Sequence, residues 1–78
     1  MGASARSQPV PTPPDQLTPR EREVLSQLVT GATYKEISRS LGMTPKTVMH
    51  HSGTIYRKLG VRGRAEATAW AFRHGVAN

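Results

Sequence analysis

The chain has 78 residues, room for one small domain, and carries 11 Lys+Arg against 5 Asp+Glu for a formal net charge of +6. It has no Cys, which excludes disulfides and Cys-ligated zinc or iron–sulfur centres. No apolar run is long enough to span a membrane, and the N-terminus lacks a signal-peptide pattern.

Residues 1–16, MGASARSQPVPTPPDQ, hold most of the prolines and almost no bulky apolar side chain. This composition predicts a disordered Pro-rich arm or linker, with a domain over 17–78. Such a lead-in fits the C-terminal piece of a larger protein.

Thr18-Pro19-Arg20-Glu21 reads as a capping box with Pro at the first helical position. Val24, Leu25, Leu28 and Val29 form an apolar stripe, Gly31 supplies a stop, and the first helix is expected at about 19–29. Thr33-Tyr34-Lys35-Glu36 is a second capping box, followed by Ile37 and Leu41; Gly42 ends that helix at about 34–41. Thr44-Pro45 repeats the capping hydroxyl and the Pro. Val48, Ser52, Ile55 and Leu59 then give a core-facing stripe over about 45–59, closed by Gly60. Gly63 precedes a fourth helix at about 64–74, with Glu66 in its first turn and Ala67, Trp70, Ala71 and His74 on one face. No alternating run or hairpin turn argues for a strand. The expected fold is all-α, a four-helix bundle with a central helix-turn-helix.

The acids are Asp15, Glu21, Glu23, Glu36 and Glu66, so residues 37 to 65 contain none. That stretch holds Arg39, Lys46, Arg57, Lys58, Arg62 and Arg64. The basic block points to a polyanion, most often nucleic acid; a solvated basic face with no partner is the plainer alternative. Two helices joined by a tight Gly-containing turn at the start of this block have helix-turn-helix spacing. The second helix of such a pair lies in the major groove. Opposite its core stripe this one carries Lys46, Met49, His50, Gly53 and Arg57, flanked by Thr47 and Thr54, with no carboxylate. That is an apolar side for anchoring and a cationic, polar side for bases and phosphates.

The segment from Leu17 to Val76 resembles the LuxR-type (LuxR/FixJ) helix-turn-helix domain of bacterial transcription regulators. The resemblance is carried by LTPREREVL at 17–25, Lys35-Glu36-Ile37, Leu41-Gly42, Lys46-Thr47-Val48, His51, Ile55, Lys58-Leu59-Gly60-Val61, Arg64 and Glu66-Ala67. It implies a four-helix domain that binds double-stranded DNA as a homodimer and controls transcription in the bacterial cytoplasm. Its protein partner would be an upstream regulatory domain or RNA polymerase. By the same resemblance Lys46, Met49, His50 and Gly53 face bases. Thr47, Thr54, Arg57 and Lys58 lie near phosphates, with Tyr34 and Lys35 at the start of the second helix, and Thr44 is a further DNA-binding residue. His51 matches the family's usual His, as a base contact or as a half-buried structural or phosphate-bonding imidazole. The fourth helix would form a weak dimer contact through Ala65, Thr68, Ala69 and Phe72, small residues plus one aromatic that suit close helix approach.

Two positions depart from the family pattern. Met49 stands where Lys or Arg is frequent; it suits a thymine methyl or else weakens binding. Gly53 stands where a polar side chain is frequent, and a mid-helix Gly costs about 0.5–1 kcal/mol relative to Ala. It allows close approach to DNA or is a tolerated or engineered substitution. These departures keep a second reading open, a helix-turn-helix protein-interaction module using the Phe72 face with weak or lost DNA binding. A sigma-factor helix-turn-helix would not predict the Arg64-Ala65-Glu66-Ala67 pattern. No catalysis is expected: adjacent His50 and His51 diverge on a helix with no carboxylate near them in sequence, His74 is distant, and Asp15, the one Asp available for a Ser/His/Asp triad, lies in the arm. No cofactor, metal or small-molecule substrate is implied.

Overall fold

The computed structural model describes residues 16–75. The arm expected at 1–16 therefore lies outside the described residues, Gln16 excepted, as do residues 76–78. The described chain forms four helices and no strand: α1 (Pro19–Leu28), α2 (Tyr34–Leu41), α3 (Pro45–Leu59) and α4 (Arg64–Arg73). Each agrees with the sequence expectation to within one residue, at the C-terminal ends of α1 and α4.

Local chemistry sets the helix starts. The Thr18 hydroxyl accepts from the Glu21 amide at 3.1 Å, and the Glu21 carboxylate accepts from the Thr18 amide at 2.9 Å. Thr33 and Glu36 repeat the exchange at 3.0 and 2.8 Å. Thr44 caps α3 by accepting from the Thr47 amide at 3.1 Å. Each cap satisfies amides that have no partner within their own helix and contributes about 1 kcal/mol. Glu66 acts differently from a capping-box residue. Its carboxylate accepts from the Arg62 amide at 2.9 Å, one position before the side-chain-less cap Gly63.

The turn between α2 and α3 depends on Gly42, whose φ of 69° is left-handed and disfavoured for a residue with Cβ. Its position places the C-terminus of α2 only a few residues from the start of α3. Gly60 closes α3 in the same conformation, with φ 71°.

The core consists of Leu17, Val24, Leu25, Leu28, Ile37, Val48, Ile55, Leu59, Ala67, Trp70 and Ala71. The helix α3 approaches each of the other three, whereas α2 and α4 do not approach one another. It is thus the central helix, buried along Val48, Ser52, Ile55 and Leu59. Ser52 is tolerated in that stripe because its hydroxyl donates to the Val48 carbonyl at 2.9 Å. Just after α4, His74 stays exposed but lies flat against Trp70, with ring centroids 3.9 Å apart.

Candidate nucleic-acid interface

Burying one side of α3 turns the opposite side outward. Lys46, His50, Gly53 and Arg57 are exposed, and Met49 is 53% exposed. Their spacing at i, i+3, i+4, i+7 and i+11 keeps them on one face of the helix. His51 and Thr54 are half-buried at the margin of this face, and the His50 and His51 rings diverge, with centroids 6.4 Å apart and planes at 60°.

The face keeps its charge because the carboxylates are engaged elsewhere. Among the described residues, Glu21 holds the Thr18 amide and Lys58, and Glu23 pairs with Arg20 at 3.1 Å. Glu36 holds the Thr33 amide, and Glu66 the Arg62 amide. None folds back onto the outward side of α3. Lys46 and Arg57 have no carboxylate within ion-pair distance among the described residues; Arg57 reaches only the Thr54 hydroxyl, at 3.5 Å. Thr44 and Thr47 are exposed, but their hydroxyls already bond each other at 2.9 Å at the helix start.

Lys58 changes the expected picture of the cations. Two of its three ammonium donors are engaged inside the domain, while its side chain stays 32% exposed. It donates to the Glu21 carboxylate at 2.8 Å and to the Gln16 carbonyl at 3.2 Å. Burial pushes the Glu21 carboxyl up. The Lys58 hydrogen bond, the Thr18 amide and the charges of Lys58 and His51 outweigh that, and the carboxyl ends below the ordinary carboxylate value. Lys58 is thereby a tie between α3 and α1.

At the start of α2, Lys35 is exposed and Tyr34 is half-buried against the core. The sequence reading did not single out Tyr56, which lies on α3 near Tyr34. Its hydroxyl is buried close to Tyr34 and Ser52 but has no hydrogen bond of good geometry to either. Burial and the neighbouring Tyr34 push its phenol up, against the opposing pull of Arg64 and Ser52. Nothing in its spacing signals this, because Tyr56 falls between the core stripe and the outward face.

Arg64, legible in the sequence as part of the basic block and of the family pattern, turns inward. Its guanidinium donates to the Leu28 carbonyl at 3.0 and 2.7 Å and also to the Ala32 carbonyl. It thus braces the end of α1 and the turn after it, where the Leu28 carbonyl also accepts from the Gly31 amide at 3.2 Å. On the same helix Ala65 and Ala69 are exposed, and Thr68 is half-buried with its hydroxyl on the Arg64 carbonyl at 2.9 Å. Phe72 is 62% exposed. Met49 and Phe72 are the large apolar side chains exposed among the described residues, one on each face expected to meet a partner.

No helix among the described residues is long and apolar enough to cross a membrane. Comparison with known proteins assigns the family. Residues 15–71 match the family described as bacterial regulatory proteins, luxR family. The chain is 44% identical over 71 residues to the transcriptional activator protein BjaR1 of Bradyrhizobium diazoefficiens, covering 91% of this chain and 29% of that protein. It is 46% identical over 59 residues to the spore germination protein GerE of Bacillus subtilis, covering 76% of this chain and 80% of that one. A solved structure of the transcription factor GerE superposes with a TM-score of 0.72 at 40% identity, covering 80% of this chain and 92% of that chain. The chain thus spans under a third of the length of relatives such as BjaR1, yet most of GerE. With the four helices, the central helix-turn-helix and the acid-free face of α3, these likenesses show that the chain belongs to the LuxR family as a DNA-binding transcription-regulator domain, not an enzyme.

Proposed function

We propose that this domain binds double-stranded DNA sequence-specifically as the output module of a bacterial cytoplasmic regulator, with α3 in the major groove. The observation that carries the reading is the outward side of α3, which offers Lys46, His50 and Arg57 with no carboxylate facing them. Lys46, Met49, His50 and Gly53 address bases. Thr44, Thr47, Thr54 and Arg57, with Tyr34 and Lys35 on α2, line the backbone, and His51 lies at the margin between the two sets. Lys58 belongs with the backbone set and also holds Glu21, which sets the pose of α3 on α1.

Two copies dock on half-sites about one helical turn apart. They associate weakly through Ala65, Thr68, Ala69 and Phe72 of α4, a small patch that DNA reinforces. In relatives such as BjaR1 the matching segment is 29% of the protein. This supports an attached regulatory domain as the partner of the module; RNA polymerase is the second partner proposed.

Selection from a pool of random duplexes tests the reading. Enrichment of a palindromic sequence is expected, with affinity falling steeply between about 50 and 200 mM salt as phosphate counterions are released. Absence of any enriched sequence at low salt would instead favour the interaction-module reading, which the exposure of Phe72 supports.

A further inference from the structure

Four of the six glycines among the described residues have a conformational reason, and a fifth stands at a helix cap, where glycine is common. Gly31, Gly42, Gly60 and Gly75 adopt positive φ, and Gly63 is the cap before α4. Gly53 has neither. It lies inside α3 with ordinary helical backbone, and a Cβ built there would meet no atom within 4 Å. The fold therefore has room for a side chain at Gly53 and loses helix stability by lacking one. Whatever Gly53 serves lies outside the domain.

Its place on the helix says what that is. Gly53 sits at the centre of the outward face, one turn after Met49 and His50 and in line with Lys46 and Arg57. A helix with side chains is about 10–12 Å across, and the major groove is about 12 Å wide. Removing the side chain at the centre of the face lets the helix backbone settle deeper against the base edges. The neighbour that then reaches the groove floor is Met49, an uncharged and flexible thioether that is 53% exposed. A Met has no donor and only a weak acceptor, so it gains little from base nitrogens and oxygens. The apolar group that the major-groove edges offer is the thymine 5-methyl.

We infer that Met49 and the gap left by Gly53 form a methyl-reading notch, and that each DNA half-site carries a thymine whose 5-methyl group packs there. The inference rests on the reading of α3 as the groove helix and deepens it by naming the base chemistry at the middle of the face. Lys46 supplies the hydrogen-bonding readout at the helix start, where a guanine edge suits its ammonium. The centre of the face discriminates by packing.

The test starts from the duplex enriched by selection. Each thymine is replaced in turn by uracil, which deletes the methyl group and leaves the hydrogen-bonding edge intact. At one thymine per half-site the wild-type domain should bind about four-fold more weakly, the worth of burying one methyl group. In Met49→Ala that thymine-to-uracil ratio should fall to about one. Gly53→Ala should melt at a higher temperature than wild type yet bind the enriched duplex more weakly, opposite signs that a merely structural glycine would not produce. Equal affinity for every uracil duplex, or unchanged binding by Gly53→Ala, would overturn the notch while leaving groove reading intact. Failure to enrich any sequence would remove both.

Discussion

The Lys58 ammonium and the Glu21 carboxylate meet at 2.8 Å, although the two residues are 37 positions apart, and together they fasten the C-terminal half of α3 to the first turn of α1. The same carboxylate oxygen accepts the Thr18 amide, so one acid serves the helix cap and the interhelical tie. Lys58→Ala leaves a buried carboxylate short of its strongest donor and should cost about 1–2 kcal/mol. Thermal melts followed by circular dichroism should show a drop of several degrees in Tm.

The pair also gives the domain an acid limb. The Glu21 carboxyl titrates below its ordinary value of 4.5 in the folded state. Its contribution to stability is complete above that ordinary value and is lost as pH falls past it through the lowered folded value. Melts at pH 7 and pH 3 should differ, and Glu21→Gln should shrink the difference; an unchanged pH dependence in that variant would place the acid limb elsewhere.

Arg64 braces the end of α1 from α4 through the Leu28 and Ala32 carbonyls. Arg64→Ala removes a donor from the Ala32 carbonyl, leaves the Leu28 carbonyl with the Gly31 amide, and should destabilise the domain by about 1–3 kcal/mol, while the preferred DNA sequence stays the same. Arg64→Lys should recover little, because an ammonium lacks the planar fork that reaches both carbonyls. Denaturant melts and selection profiles check the two halves.

Tyr56→Phe runs the other way. The buried hydroxyl has no hydrogen bond, so deleting it should leave stability unchanged or raise it by up to about 1 kcal/mol. A loss of more than about 1 kcal/mol in urea titration would mean that the hydroxyl has a partner, such as an ordered water.

Lys46 and Arg57 should separate by readout. Lys46→Ala should change which sequence is enriched, whereas Arg57→Ala should weaken binding to all sequences alike and reduce the salt slope by about one phosphate contact. Selection with each variant and salt titrations on one fixed duplex measure the contrast.

Phe72→Ala should weaken self-association and cooperative binding to the two half-sites, yet leave monomer stability within about 0.5 kcal/mol, because the ring is 62% exposed. Sedimentation and melting on the same samples check both. An unaltered association constant would remove α4 from the dimer contact.

Much of this architecture was readable along the chain. Thr18, Thr33 and Thr44 cap their helices through bonds to residues three positions away, and Gly42 and Gly60 end theirs, so a linear reading contains every atom needed. Ser52 could be placed in the buried stripe because helical periodicity alone sets its face. The outward set of Lys46, Met49, His50, Gly53 and Arg57 follows from the same geometry, since fixing the buried side of a helix fixes the opposite one.

What periodicity could not supply is where a long side chain ends. Lys58 and Arg64 both counted as cations in a basic block, and either was free to face a phosphate. Only the packing of α1 against α3 and α4 brought Glu21 within 2.8 Å of one and the Leu28 carbonyl within 2.7 Å of the other. The Tyr56 hydroxyl likewise took its surroundings from Tyr34 and Arg64, both distant from it in sequence. The sequence by itself thus determined the helices, their caps and the two sides of α3, because these depend on interactions spanning a turn or two. The tertiary structure decided which cations are spent inside the domain and which remain for a partner, because a flexible charged side chain takes its position from groups that are distant in sequence.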